Sequence, residues 1–91
     1  VTANFVYVSG SVMRPGRATL DRPLTVLESI LETGGFTPDA NLERVTVIRY
    51  EGLDNTTYEL NLEPVYSGGP VPPFYLKPRD VVNVPKKVQW F

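Results

Sequence analysis

The sequence predicts an α+β fold, in which a small mixed sheet of about five strands is covered by one helix. Two alternating apolar segments open the chain, a capped amphipathic segment follows, and short β-branched segments complete it. A hairpin, one crossover helix and further strands produce a sheet with both parallel and antiparallel neighbours.

Composition limits the function before any motif is considered. The chain has 91 residues, which we interpret as one domain over residues 1–91, excised from a longer protein because it begins without Met. The net charge is −1 and no segment concentrates basic residues, so nucleic acid is not an expected partner. The chain contains neither Cys nor His, and no motif brings two acids together. We therefore expect no enzyme activity, no metal site and no cofactor.

The first alternating segments predict a hairpin with one buried face. Pro15 and Gly16 have the residue types of a type II turn between the strands. The residues of one parity, which should face the core, are Val6, Val8, Val12, Ala18 and Leu20.

Residues 25–35 predict a docked helix of about ten residues. Thr25 and Glu28 have the spacing of a capping box, and Gly34 can close the helix in a left-handed conformation. The predicted buried face consists of Leu27, Ile30, Leu31 and Gly34, flanked by Val26, and the opposite face of Glu28, Ser29 and Glu32.

The second half of the chain predicts three strands. Residues 44–50 and 57–62 form a hairpin around a turn at 51–56, with Tyr58, Leu60 and Leu62 inward. Four prolines make residues 63–74 an irregular loop, and residues 81–85 a short last strand. This order of elements is that of a β-grasp fold.

Several ordered motifs resemble the SLBB family of soluble-ligand-binding β-grasp domains. The motifs, over residues 5–85, are Val8-Ser-Gly-Ser-Val12, Pro15-Gly16, Leu24-Thr-Val-Leu-Glu28, Gly34-Gly35, Arg44-Val45, Val47-Ile-Arg49 and Leu76-Lys-Pro-Arg-Asp-Val-Val-Asn-Val-Pro85. Within the family, the chain looks most like domains of bacterial polysaccharide biosynthesis and export proteins. The resemblance implies a periplasmic module of an outer-membrane-associated protein that works with tandem domains and forms a homo-oligomeric ring for polysaccharide export.

One position departs from the family pattern. The family usually has Gly-Asp where this chain has Arg79-Asp80. A type I turn, with Pro78 and Arg79 as its first and second central residues, would avoid a positive φ at Arg79, and we expect that turn here.

The candidate ligand-binding residues are three aromatic residues around the proline-rich loop and one arginine. Tyr66, Phe74 and Tyr75 could pack on the C–H faces of a sugar, and Arg49 could bind a uronic-acid carboxylate. The alternatives are that Phe74 and Tyr75 cover the sheet and that Arg49 pairs with Asp80 or Glu59 of its own domain. The loop could equally pack on a neighbouring subunit.

Three functions remain open from the sequence. The first is a non-enzymatic export module that contributes to ring assembly and binds carbohydrate weakly. The second is a purely structural module that packs tandem domains or subunits and buries these aromatic residues and Trp90. The third is an adaptor unrelated to polysaccharide, which docks a protein on an open sheet edge.

Overall fold

The computed structural model describes residues 4–64, 68–69 and 74–87, which form one five-stranded sheet with a helix on one face. The strands lie in the order β2-β1-β5-β3-β4; β1 and β5 are parallel, and all other neighbours are antiparallel. The predicted α+β class is confirmed. The elements are β1 (Phe5–Gly10), β2 (Gly16–Thr19), α1 (Val26–Glu32), a 3₁₀ helix (Leu42–Arg44), β3 (Val45–Glu51), β4 (Asp54–Leu60) and β5 (Val81–Val84).

The first hairpin buries the predicted face, but its connection differs from the prediction. Gly16 has a φ of 157°, close to extended backbone, and pairs with Val8 as the first residue of β2. The prediction of a type II turn at Pro15 and Gly16 is therefore wrong. Residues 11–15 instead form a longer connection between β1 and β2. Within it, Val12 forms an isolated bridge with Phe36 and thereby ties the hairpin to the segment after the helix.

The helix begins as predicted and is shorter than predicted. The Thr25 hydroxyl accepts a hydrogen bond from the Glu28 amide, and the Glu28 carboxylate accepts one from the Thr25 amide, which completes the capping box. At the other end, the Gly35 amide donates to the Ile30 carbonyl and the Gly34 amide to the Leu31 carbonyl. These two bonds form a Schellman motif, so the helix ends after seven residues.

The buried face of the helix is rotated from the predicted one. Val26, Ser29 and Ile30 are buried, whereas Leu31 is 58% exposed. Ser29 can be buried because its hydroxyl donates to the Val26 carbonyl at 2.7 Å, which satisfies the polar group inside the helix. The prediction that Leu31 faces the core and Ser29 faces away is wrong.

The second hairpin has a tighter turn than predicted. Glu51 pairs with Asp54, so only Gly52 and Leu53 connect the strands. Gly52 has a φ of 64° while Leu53 does not have a positive φ, as in a type II′ turn. The inward prediction for β4 and the residue beyond it is confirmed, because Leu62 is buried and Tyr58 and Leu60 pack against the core.

The core lies between the sheet and α1, and β5 is its centre. Val82 and Val84 of β5 are fully buried between β1 and β3, where burial of each side chain contributes about 1.5–3 kcal/mol. The other buried apolar residues are Val6, Val8, Val12, Ala18, Leu24, Val26, Ile30, Ala40, Val45, Val47, Leu62 and Leu76.

Within the described residues, no helix has the length and apolarity needed to cross a membrane.

Candidate functional site

An ion pair between Arg49 and Asp80 forms the centre of the candidate site. Arg49 lies on β3 with the same parity as the buried Val45 and Val47, so its side chain is on the core side of the sheet. Its Nη2 lies 2.9 Å from Asp80 Oδ2, and its Nε lies 3.3 Å from both carboxylate oxygens. Two guanidinium nitrogens thus donate to one carboxylate, and such charge-assisted bonds are stronger than hydrogen bonds between neutral groups.

Asp80 is held by the backbone of its own turn. The Lys77 amide donates to Asp80 Oδ2 at 2.8 Å, and the Asp80 amide donates to the Lys77 carbonyl at 3.1 Å. The Asp80 carbonyl accepts from the Tyr7 amide at 2.9 Å, which attaches the turn to β1. The carboxylate is only 1% exposed, so these donors replace the water that a buried charge loses.

The turn at residues 77–80 differs from the predicted type I geometry. Arg79 has a φ of 69°, which is incompatible with a type I turn and matches the third position of a type II turn. Pro78 occupies the second position, where its fixed φ suits either type. The surrounding bonds hold Arg79 in a conformation that costs about 1 kcal/mol for a residue with a Cβ atom.

Two aromatic rings, which also contact each other, lie beside the guanidinium group of Arg49. The Arg49 Cζ lies 5.2 Å from the Phe74 ring centroid and 5.4 Å from that of Tyr58. The two rings contact each other with centroids 5.0 Å apart. Such cation–π contacts strengthen when the cation is shielded from water, and the Arg49 side chain is only 12% exposed.

Tyr75 contributes to the cluster through its backbone and presents its ring to solvent. Arg49 Nη2 donates to the Tyr75 carbonyl at 3.1 Å, and Tyr75 forms a bridge with Thr25 at the start of α1. The residue is 58% exposed. The ring is therefore available for contact with a ligand or a neighbouring domain.

The structure brings together three of the four residues predicted for the ligand site. Arg49, Phe74 and Tyr75 are neighbours, while Tyr66 lies outside the described residues. Phe74 is partly buried and packs against the core, as the alternative interpretation anticipated, and Arg49 pairs with Asp80 rather than Glu59. Tyr58 was not predicted for the site, although its inward position on β4 could have indicated it.

The electrostatics of this cluster favour a permanent structural pair. The hydrogen bonds that Arg49 donates to Asp80 raise the pKa of its guanidinium, burial opposes this rise, and the charge of Asp80 adds to it. Arg49 therefore stays protonated and its donors stay directed at Asp80 and the Tyr75 carbonyl. In the part of the chain that the structure describes, no group of three or more acidic side chains is arranged to hold a metal ion.

A separate cleft lies at the other end of the sheet. It has a volume of about 300 Å³ and is lined by Phe36, Thr37, Pro38, Ala40, Leu42 and Lys87. None of these residues belongs to the Arg49 cluster. Four of the six lining residues are apolar, and Lys87 provides the only cation among the described residues that line it.

Comparison with known protein families identifies the class to which this fold and site belong. The family model for the SLBB domain matches residues 4–84, nearly the whole chain. The chain therefore belongs to the SLBB domain family, a family of soluble-ligand-binding modules. No curated protein matches the sequence.

Proposed function

We propose that this domain is a non-enzymatic periplasmic module of an outer-membrane polysaccharide export protein. The observation that carries the proposal is membership of the SLBB family over residues 4–84. The family implies a soluble ligand, and a polysaccharide under export is the ligand that its usual setting provides. In the full-length protein the domain would work beside tandem domains in a homo-oligomeric ring.

The exposed Tyr75 supports a weak contact with carbohydrate. Its ring projects beside a cluster that Asp80 and Arg49 hold rigid, so binding would not have to order the backbone first. Aromatic rings pack on the C–H faces of sugars, and neighbouring polar groups bind the hydroxyls. A single exposed ring gives low affinity, which suits a polymer that has to pass through.

A chemical-shift titration of the isotope-labelled domain tests this proposal. Polysaccharide from the organism that encodes the protein should shift amide signals near Tyr66, Phe74 and Tyr75 at millimolar sugar. Tyr75→Ala should weaken the shifts, whereas Leu53→Ala, in the exposed turn between β3 and β4, should leave them unchanged. Absence of any shift near the three aromatic residues would contradict carbohydrate binding at this place.

A structural packing role is the second candidate, and exposed apolar side chains favour it. Leu31 and Met13 are each 58% exposed, and Met13 lies against Gly34 at the end of the helix that carries Leu31. Exposed apolar residues that lie together mark contact surfaces between proteins. This second function predicts that they become buried between subunits or tandem domains.

Mass measurement of the full-length protein by light scattering tests the packing role. Leu31→Ser combined with Met13→Ser should lower the oligomer mass, while the exposed Leu53→Ser should not. A full-length protein that remains a strict monomer would contradict both ring assembly and packing between subunits.

A further inference from the structure

The face of the sheet opposite α1 carries aromatic, aliphatic and basic residues from four elements. Along each strand, the residues that alternate with the buried ones belong to this face. The pairing register aligns Tyr7 with Val81 and Val81 with Ile48. In the turn that precedes β5, the Arg79 amide donates to the Phe5 carbonyl at 2.8 Å, and Arg79 lines a cleft together with Tyr50. We call this surface the open face: Phe5, Tyr7, Arg17, Ile48, Tyr50, Arg79 and Val81.

The tyrosine rings of the open face are accessible to solvent, and one of them packs against Phe5. Tyr7 is 42% exposed and Tyr50 is 58% exposed. The Phe5 and Tyr7 rings meet edge to face with centroids 5.2 Å apart, and the Arg17 Cζ lies 5.2 Å from the Phe5 centroid. Two strand spacings separate Phe5 from Tyr50, so the platform is about 10 Å wide.

Arg79 stands at a cleft on this face in a conformation that glycine would adopt more easily. Arg79, Tyr50, Gly52 and Pro78 line a cleft of about 390 Å³. The φ of 69° is the only positive φ of a non-glycine residue in the described part of the chain. Backbone strain of this kind persists where surrounding contacts impose it, and it concentrates at binding sites.

The charge of the open face is unbalanced toward cations. Neither the Arg79 nor the Arg17 side chain forms a hydrogen bond or an ion pair among the described residues, and the Arg17 guanidinium lies over the Phe5 ring. Arg22 and Arg49 pair with carboxylates, whereas Arg14 and Arg44, like the two open-face arginines, form no ion pair among the described residues. Two guanidinium groups without carboxylate partners beside accessible rings match a ligand that has both apolar faces and carboxylates.

We propose that the open face binds an acidic saccharide, with Tyr7 and Tyr50 packing on sugar rings and Arg79 and Arg17 binding carboxylates. The inference rests on the proposed function in taking a carbohydrate as the ligand, and it adds the place and the charge of that ligand. A single-stranded nucleic acid would also stack on such rings, but its phosphate backbone needs a continuous basic groove, whereas this face carries two separate arginines and Glu59. An acidic saccharide is the occupant that the small number of cations favours.

The test is a chemical-shift titration of the labelled domain with an oligogalacturonate and with its methyl ester, which lacks the charge. The oligogalacturonate should shift the amides of Tyr7, Tyr50 and Arg79, and the ester should bind at least about tenfold more weakly. Equal binding of the two, tighter binding of oligothymidylate, or shifts confined to Tyr75 would each overturn the inference. Shifts at Tyr75 alone would still support the proposed function, so the two failures are distinguishable.

Variants of Arg79 separate binding from folding. Arg79→Gly removes both the guanidinium and the backbone strain, so it should lower the affinity about tenfold while leaving the Tm unchanged or higher. Arg79→Lys keeps a cation and should retain most of the binding, and Arg44→Ala removes an exposed arginine of the 3₁₀ helix and should have no effect. Unchanged affinity in Arg79→Gly would overturn the inference, as would concentration-dependent shifts on the open face without saccharide, which would indicate a second copy of the chain as its occupant.

Discussion

Arg49 Nη2 and Asp80 Oδ2 lie 2.9 Å apart and join strand β3 to the turn that begins β5, across 31 residues of sequence. The Asp80 side chain is 1% exposed and that of Arg49 12% exposed, so both charges have lost most of their water. A pair of this kind contributes to stability mainly because the loss of either partner leaves the other charge buried and unpaired.

The first prediction concerns this ion pair. Arg49→Met should lower the free energy of unfolding by about 3–5 kcal/mol, because the Asp80 carboxylate stays buried without its main partner. Asp80→Asn should also destabilise the domain, and the double variant should lose at least about 1 kcal/mol less than the sum of the single losses. Urea denaturation of the four proteins measures this coupling.

An exposed ion pair supplies the control for that experiment. Arg22 Nη1 lies 3.4 Å from Glu32 Oε1, with side chains 55% and 36% exposed. Arg22→Met should cost only about 0–1 kcal/mol, since water screens the pair. Equal losses in Arg49→Met and Arg22→Met would show that burial does not determine the strength of the Arg49 pair.

The second prediction concerns the start of the helix. Thr25→Ala removes the acceptor for the Glu28 amide and should lower stability by about 1 kcal/mol, measured by thermal unfolding. Glu28→Gln preserves an acceptor for the Thr25 amide and should cost less than Thr25→Ala. A larger loss in the glutamine variant would mean that the charge of Glu28, rather than the capping geometry, stabilises this end.

The third prediction compares two glycines with positive φ. At Gly10 a Cβ atom would lie 2.1 Å from the Val84 carbonyl oxygen, whereas at Gly52 it would meet nothing within 4 Å. Gly10→Ala should therefore cost about 2–5 kcal/mol, the sum of backbone strain and a clash between β1 and β5. Gly52→Ala should cost only the backbone strain, about 1 kcal/mol. Equal denaturation midpoints for the two variants would contradict the close approach at Gly10.

The fourth prediction concerns the pH dependence of Asp39. The Thr37 hydroxyl donates to the Asp39 carboxylate, and this bond, with a smaller contribution from Lys86, lowers the pKa of Asp39 below 3.8. A lowered pKa in the folded state means that the contribution to stability is present above about pH 4, where the unfolded carboxyl is ionised, and is lost as the pH falls through the folded pKa.

An NMR titration of the carboxyl carbons tests this sign. Thr37→Val should move the Asp39 midpoint up toward 3.8, and Lys86→Gln should move it less, because the hydroxyl is the larger cause. A greater effect from Lys86→Gln would reverse the assigned order of causes.

The elements of the fold could be predicted from local patterns. Alternation predicted the buried face of the first hairpin, and the Thr25–Glu28 spacing predicted the capping box. Both depend on atoms a few residues apart, so neighbouring sequence contains the required information. The predicted buried face of the helix was wrong. Ser29 is buried because its hydroxyl donates to a carbonyl of the same helix, and Leu31 therefore lies at the surface.

The turns and the site depended on contacts from distant residues. Arg79 adopts a positive φ although its residue type disfavours one, because the Asp80 side chain binds the Lys77 amide and the Arg79 amide binds the Phe5 carbonyl. The sequence contained two acids that could pair with Arg49, and spacing could not distinguish them.

The sequence by itself therefore determined the α+β class, the order of the elements, the residues of most of the core and the absence of thiol and imidazole chemistry. Only the tertiary structure decided that Arg49 pairs with Asp80, that Tyr75 is exposed beside that pair, and that Arg79 lies close to both Phe5 and Tyr50. The reason is physical: periodicity and caps act within a few residues, whereas insertion of β5 between β1 and β3 brings together segments far apart along the chain.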